Sequence, residues 1–500
     1  MTTIGDIVSF AVEGQIITFS IRGKAKVRLS ILAADLVRVQ IAPKGAFKSN
    51  VSRAVVKTDW PALAFEVSET RDQVIIATSV MRLIVRKKPF VLECRDLSGK
   101  LIVGDDPKRR IRWDNGRTEV FKTTQPGEKY VGLGWRPQRL VRNGTKFVMR
   151  NRASYAPPET FNAEVPMWYG LRRGRAYAIF FDDTSWGTID VGASSRRYVS
   201  FRNLGGNLDY YIFAGPTMAG ILDRFTELTG RPFMPPRWAI GYQQCRWSYT
   251  PQSQLLEIAG EFRRRKIPCD CLYLDIDYMP NGHALTFDPK TFPKPVALLR
   301  RLHRQGFRVV ANISPLLVRS DPEFGQALRK NLVLKTARGR VLIGRHFYWK
   351  EFRGDKTGEC AWLDFTRPAV RQWWARRHQA FLRAGVDAIW NDLNEPEEMG
   401  KDWPSDVKYG FDGRPVDHCR TSPQYSLIQA EMSYGILRKH KSKERPYVIS
   451  RGGYAGIQRC SALWTGDNKS GRVNDFKRNI PMGLSMSICG NPHNGHDIGG

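Results

Sequence analysis

Residues 271–315 read CLYLDIDYMPNGHALTFDPKTFPKPVALLRRLHRQGFRVVANISP. The opening, CLYLDID (271–277), is a short apolar run that closes on acids and reads as a buried strand. PVALLRRLHRQG (295–306) reads as a helix ended by Gly306, and RVVANISP (308–315) as a second strand. Strand, helix, strand implies two parallel strands joined by a right-handed crossover. The same alternation extends outward on both sides. WAIGYQQ, near 238, is an apolar strand, and Thr250 with Pro251 starts a helix as N-cap and first residue, with Leu255, Leu256, Ala259 and Phe262 on one face. Thr366 caps a helix that runs to Gly385, with an inward stripe of Val370, Trp373, Trp374, Phe381 and Ala384 interrupted by Arg377. VDAIWND (386–392) is a strand, and Ser422-Pro423 opens a helix with Leu427, Tyr434 and Leu437 on one face. PYVISR (446–451), ALWTGD (462–467) and SMSICGN (485–491) are three more strands.

Seven strands are thus expected, where a (β/α)8 barrel needs eight and typically about 250 residues. The expectation is a barrel cut off after about the seventh strand, within a longer protein. Before residue 230 the pattern has period two and is punctuated by Gly, Asn and Asp, as in QIITFSIRG, KVRLSILAADLVRVQIA and QVIIATSVMRLIVRK. That predicts an antiparallel β-sandwich. TMAGILDRFTELTG (217–230) closes it as a helix ended by Gly230, and RPFMPPRW breaks the chain. Two domains follow: a sandwich over 1–230 and an incomplete barrel over 231–500.

Composition narrows the class. Hydrophobic content of 42% and charged content of 25% over 500 residues are those of a globular chain. No apolar run nears the roughly 18 residues of a membrane span, and the start, MTTIGDIVSFAVEG, lacks the basic region of a secretory signal. Eight cysteines in 500 residues make no disulfide framework. Cys269 and Cys271 are expected on one face of a strand, as buried thiols in a reducing, cytoplasmic setting. Seventy-nine Lys and Arg against 48 Asp and Glu give a net charge of +31, which raises nucleic acid or another polyanion as a partner. The basic clusters PKRRIR (107–112), EFRRRK (261–266) and RKHKSK (438–443) are short and scattered, without a nucleic-acid-binding pattern. A solvated Arg-rich surface with no specific nucleic-acid partner is the simpler reading.

In such barrels the active site lies at the C-terminal strand ends, where this chain concentrates acids. Asp275 and Asp277 end the second strand. Asp392 ends VDAIWND, followed by Asn394 and Glu395; Asp467 ends ALWTGD, followed by Asn468; Asp497 follows the seventh strand. Trp390 and Trp464 precede two of these acids, and Arg451 ends PYVISR. Carboxylates, tryptophans and an arginine at one mouth suit a sugar: aromatic faces stack on the ring and charged groups bind hydroxyls. Two carboxylates flanking a glycosidic bond are the machinery of glycoside hydrolysis. Asp275, Asp277, His496 and Asp497 could instead bind a cation, but no metal-ligand spacing supports it, and neither metal nor cofactor is expected.

The chain resembles glycoside hydrolase family 31, the α-glucosidase and α-xylosidase family. The blocks PPRWAIGYQQCRWSY (235–249), LDIDYM (274–279), WNDLNEP (390–396), ISRGGYAGIQRCSALWTGDN (449–468) and GHDIGG (495–500) stand in the family's order, and YVGLGWRPQRL (130–140) and YAIFFDDTSWGTIDVG (177–192) fit its N-terminal half. The resemblance implies that Asp392 is the nucleophile and Asp467 the acid/base. It implies that Arg451, Asp275, Trp390 and Trp464 line the sugar pocket, Asp275 holding distal hydroxyls, with Asp497 beneath its floor. By charge alone Glu395 is an alternative nucleophile; the resemblance makes it supporting. DFTRP (364–368) also matches, and Trp349 upstream is a further pocket candidate. The family's pocket histidine on an eighth strand has no counterpart here, nor does the acid that some members supply from a loop near MRNRASY (149–155).

The function implied is retaining, exo-acting hydrolysis of α-linked glycosides, the two carboxyls about 5–5.5 Å apart. An α-glucosidase is expected first. An α-xylosidase, an α-transglucosylase or a catalytically inactive carbohydrate-binding fragment are the alternatives.

Overall fold

The computed structural model describes residues 1–47, 52–152, 162–346, 358–398, 401–467 and 473–498. Trp349 and Asn468 lie outside them.

Up to residue 213 the described elements are strands and turns. An eight-stranded antiparallel sheet runs from Lys129–Gly132 at one edge, through Arg175–Phe181 and Leu208–Phe213, to Ile7–Glu13 at the other. A six-stranded and a five-stranded sheet pack against it through one core that includes Phe19, Val39, Leu83, Phe147, Phe181 and Phe201. The alternating burial of Ile16–Ile21 is the period-two pattern that specified these strands. The expected closing helix, α1 (Met218–Thr229), is present, with Thr217 accepting the Gly220 N–H.

Beyond it, seven parallel strands stand side by side in sequence order: β1 (Gln243–Gln244), β2 (Cys271–Leu274), β3 (Arg308–Ile313), β4 (Ala388–Asn391), β5 (Val448–Ser450), β6 (Ala462–Trp464) and β7 (Asn494–Gly495). Helices α2 (Gln252–Arg264), α3 (Pro295–Arg304), α4 (Phe324–Arg329), α5 (Pro368–Arg383), α6 (Tyr425–His440) and α7 (Val473–Ile488) connect them. The TIM-barrel layering expected from the sequence is present. Leu272, Leu274, Val309, Ala311 and Ile389 pack into the core that also takes the helices, while Cys271, Tyr273, Val310, Ala388, Trp390, Ala462 and Trp464 form the inner one.

Several local expectations need correction. The first four residues of SMSICGN, 485–488, are the end of α7, and the seventh strand is Asn494–Gly495. Met482, Ser485, Met486 and Cys489 are buried at a spacing of 3, 4 and 7, the period of a helix. In WAIGYQQ only Gln243 and Gln244 are strand; residues 237–240 form a 3-10 turn after Pro235-Pro236, with Ile240 74% exposed. Cys269 precedes β2 and packs with Leu272 in the helix-facing core, whereas Cys271 faces inward, so the two thiols point apart. The helix caps are Pro251 and Arg367, one residue later than expected. The irregular stretch after β3 contains a three-stranded antiparallel sheet of Leu316–Val318, Ile343–His346 and Gly358–Trp362.

Two features bear on partners. Within EFRRRK, Arg264 and Arg265 pair with Glu261, and Arg263 covers Phe307 and donates to the Gln305 and Cys269 carbonyls, so the cluster spends much of its charge locally. Among the described residues no helix is long and apolar enough to cross a membrane.

At the foot of β4, Asp387 collects two cations and an imidazole. His303 Nε2 lies 2.8 Å from its Oδ2, and Lys441 Nζ and Arg308 Nη1 lie 2.9 and 3.2 Å from Oδ1; the Val309 N–H also donates to Oδ2. The His303 bond and the Lys441 charge overcome the opposing effect of burial and pull the carboxyl down to about 2. Its stabilisation is complete above the unfolded value near 3.8 and disappears as pH falls toward 2. Asp387→Asn is therefore expected to cost about 2 kcal/mol at pH 7 and about half of that at pH 3, as measured by urea unfolding at both values.

Candidate active site

The inward parity of β2, β3 and β4 continues past their ends. Asp275 follows Cys271 and Tyr273 at spacing two, and Asp392 follows Ala388 and Trp390. Between them Asn312 on β3, in register with Trp390, is wholly buried. Its Nδ2 donates to Asp392 Oδ2 at 3.0 Å and to Asp275 Oδ1 at 3.3 Å. Leu393, at φ 51°, turns its N–H back onto Asp392 Oδ1 at 2.8 Å, and Arg451 Nη1 lies 3.3 Å from the same oxygen.

Arg451 enters from the end of β5 and is buried. Its Nε donates to Glu395 Oε1 at 2.9 Å and Nη2 to Glu395 Oε2 at 2.8 Å. One guanidinium thus serves two carboxylates, and the charges of Glu395 and Asp392 hold it protonated despite burial. Asn394, also wholly buried, donates to Ser450 Oγ at 2.8 Å and accepts the Gly452 N–H at 2.7 Å, locking the end of β4 to that of β5. A Cβ on Gly452 would stand 2.2 Å from Ser426 Oγ, so the close approach requires glycine.

Asp467, three residues past β6, is exposed at the mouth, yet its carboxyl is raised above its usual range. Loss of hydration raises it most, the Arg451 charge opposes this, and the Asp392 charge adds to it. Asp275 is raised well above its usual range by loss of hydration and by its neighbours Asp392, Asp277 and Asp467; the Ile276 N–H opposes them. Trp390 and Trp464 meet edge to face at 5.1 Å between centroids. With Gln243, Tyr273, His496 and Asp497 they line a cavity of about 400 Å³. Asp497, expected beneath a floor, is solvent-exposed on its wall. Arg451, Asp275, Asp392 and Asp467 therefore form one electrostatic cluster, with Glu395 held behind it by Arg451. Among the described residues no group of three or more His, Cys, Asp or Glu is placed to hold a metal ion.

Asn312 is the site residue that the sequence reading passed over. It is the one polar side chain within VVANI, at a position of inward parity, and that was the available signal.

The family model described as the glycosyl hydrolases family 31 TIM-barrel domain matches residues 232–500. The chain belongs to glycoside hydrolase family 31. The family's N-terminal galactose mutarotase-like domain matches residues 26–190 of this family-31 chain. It is 34% identical over 483 residues to alpha-glucosidase 2 of Bacillus thermoamyloliquefaciens, covering 95% of this chain and 60% of that protein. It is 30% identical over 419 residues to an alpha-glucosidase of Saccharolobus solfataricus, covering 76% and 57%. The Flavobacterium johnsoniae GH31 dextranase, solved with isomaltotriose, superposes with a TM-score of 0.92 at 28% identity, over 100% of this chain and 62% of that one. The family-31 chain thus spans about three-fifths of the length of the relatives it matches.

Proposed function

We propose that this chain carries the catalytic site of a retaining, exo-acting α-glucosidase that works through a covalent glycosyl-enzyme intermediate. One observation carries the reading: a carboxylate held by a buried guanidinium, Asp392 by Arg451, raises the proton affinity of a second carboxyl, Asp467. A charged nucleophile beside a protonated acid is the division of labour that retaining hydrolysis needs.

Asp392 attacks the anomeric carbon while Asp467 gives its proton to the departing oxygen. Asp467, now ionised, takes a proton from water, the water oxygen bonds to the anomeric carbon, and the ester bond to Asp392 breaks. Two inversions leave the product in the α configuration. Once Asp392 is esterified its charge is gone, which lowers the proton affinity of Asp467 as its role changes from acid to base. Asp275 receives the distal hydroxyls, Trp390 and Trp464 offer the apolar wall, and Glu395 fixes Arg451. The names of the two bacterial and archaeal relatives, both alpha-glucosidases, support the substrate class. Eight free cysteines, six of them buried, support a reducing, cytoplasmic location.

Leu393 and Asn394 favour glucose over xylose. A glycine in place of Asn394 would lose the bonds to Ser450 and Gly452 that set the β4–β5 spacing. An aryl α-glucoside is expected to exceed the aryl α-xyloside about 10–200-fold in kcat/KM, the range one productively bound hydroxymethyl allows. Assay of both on the full-length protein checks this: faster xyloside turnover overturns the sugar preference, and turnover of neither overturns the enzyme reading in favour of a carbohydrate-binding fragment.

A further inference from the structure

We propose that Asn312 is a positioning residue that sets the geometry of attack by tying the hydroxyl-binding carboxylate Asp275 to the nucleophile Asp392. The inference rests on the function proposed above and assigns a role to a residue outside both carboxylate blocks.

The two oxygens of Asp392 stand in different surroundings. Oδ1 takes the Leu393 N–H at 2.8 Å and faces the Arg451 guanidinium at 3.3 Å. Oδ2 takes the Asn312 amide, a neutral donor, at 3.0 Å. Oδ1 thus has two donors, one of them cationic, and Oδ2 a single neutral one, so Oδ2 is the oxygen with a lone pair left for attack. An amide has two N–H groups, one for each carboxylate, and Asn312 reaches Asp275 Oδ1 with the same nitrogen. The Asn312 backbone is fixed by its place in β3 and by the Tyr278 hydroxyl, which donates to its carbonyl at 2.8 Å. In the first step the Oδ2–anomeric carbon bond forms and the glycosidic C–O bond breaks. Its electron pair goes to the leaving oxygen, which takes the Asp467 proton. In the second, water attacks, the ester C–O bond breaks and the pair returns to Oδ2, where the Asn312 N–H again receives it. A sugar gripped by Asp275 therefore meets Oδ2 at a spacing that Asn312 fixes.

The test compares Asn312→Leu, which keeps the volume and removes both donors, and Asn312→Ser, which keeps one hydroxyl donor, in the full-length protein with an aryl α-glucoside. Asn312→Leu is expected to lower kcat/KM about 10–100-fold, the value of one hydrogen bond to a charged acceptor, with Asn312→Ser between it and wild type. The acidic limb of the kcat/KM profile should move to higher pH, since Asp392, which also faces Arg451, Asp275 and Asp467, loses a donor to its charged form. A purely structural asparagine would lower the melting temperature and leave that limb in place. Folded Asn312→Leu protein with unchanged kcat/KM and an unmoved limb overturns the proposal. Should Asn312→Leu not fold, Asn312→Ser with a wild-type profile overturns it equally. An inactive wild type strikes the function itself, while an active wild type with indifferent variants strikes only Asn312.

Discussion

Asp392→Asn is expected to reduce kcat for an aryl α-glucoside by about 10⁴-fold or more, the loss that follows removal of a covalent nucleophile. The fold should survive. Asparagine keeps the shape, can still accept the Leu393 N–H on its remaining oxygen, and relieves Asp275 and Asp467 of a neighbouring charge. Near-wild-type kcat would place the attacking group elsewhere, with Glu395 the first suspect by proximity. Glu395 is the weaker candidate because both of its oxygens are engaged by Arg451, at 2.8 to 3.1 Å. The variant carries a second signature: with the Asp392 charge gone, the Asp467 carboxyl should titrate at lower pH, since that charge is one of the causes that raise it. Carbon-13 NMR of labelled aspartate would read the change directly.

Arg451→Met is expected to cost about 3–5 kcal/mol of stability, the penalty for leaving a buried ion pair with one partner missing. Methionine fills much of the space but cannot answer Glu395, which is 2% exposed and would be left buried without its cation. Denaturant unfolding at pH 7 tests this. A loss under about 1 kcal/mol, the value of an exposed pair, would mean that Arg451 is not required to offset these charges. Activity should fall with stability, since the same guanidinium faces Asp392 Oδ1.

These residues were legible for a physical reason. A parallel strand that enters buried and leaves at an open end must change from apolar to polar at its exit, so LYLD and AIWND mark that exit in the sequence itself. Arg451 is the same signal with opposite charge. What the sequence could not mark were contacts made across strands. Asn312 sits mid-run among valines and alanine, and only its register against Trp390 reveals that it points at two aspartates. Asp387 reads only as an acid near the start of the VDAIWND strand, and the groups that hold it arrive from α3, β3 and the end of α6. SMSICGN alternates polar and apolar residues over its first four positions, too short a stretch to distinguish a strand from the last turn of a helix. The helical spacing emerges only when Met482 is included.

The join between the sandwich and the barrel has a consequence for how such proteins can be recombined. Ala163–Glu164 pairs in parallel with Gly453–Tyr454, two residues beyond Arg451, and Asn151 Nδ2 donates to the carbonyls of Pro423 and Gly453. Phe213, Phe225, Leu427, Leu463 and Met486 share a single apolar core drawn from both sides of that join. The backbone that follows the site arginine is therefore stitched to the N-terminal half of the chain. A chimera that takes its barrel from one parent and its sandwich from another inherits a seam running within two residues of Arg451, and parents that differ at Asn151 or Ala163–Glu164 would exchange the alignment of that arginine along with the domain.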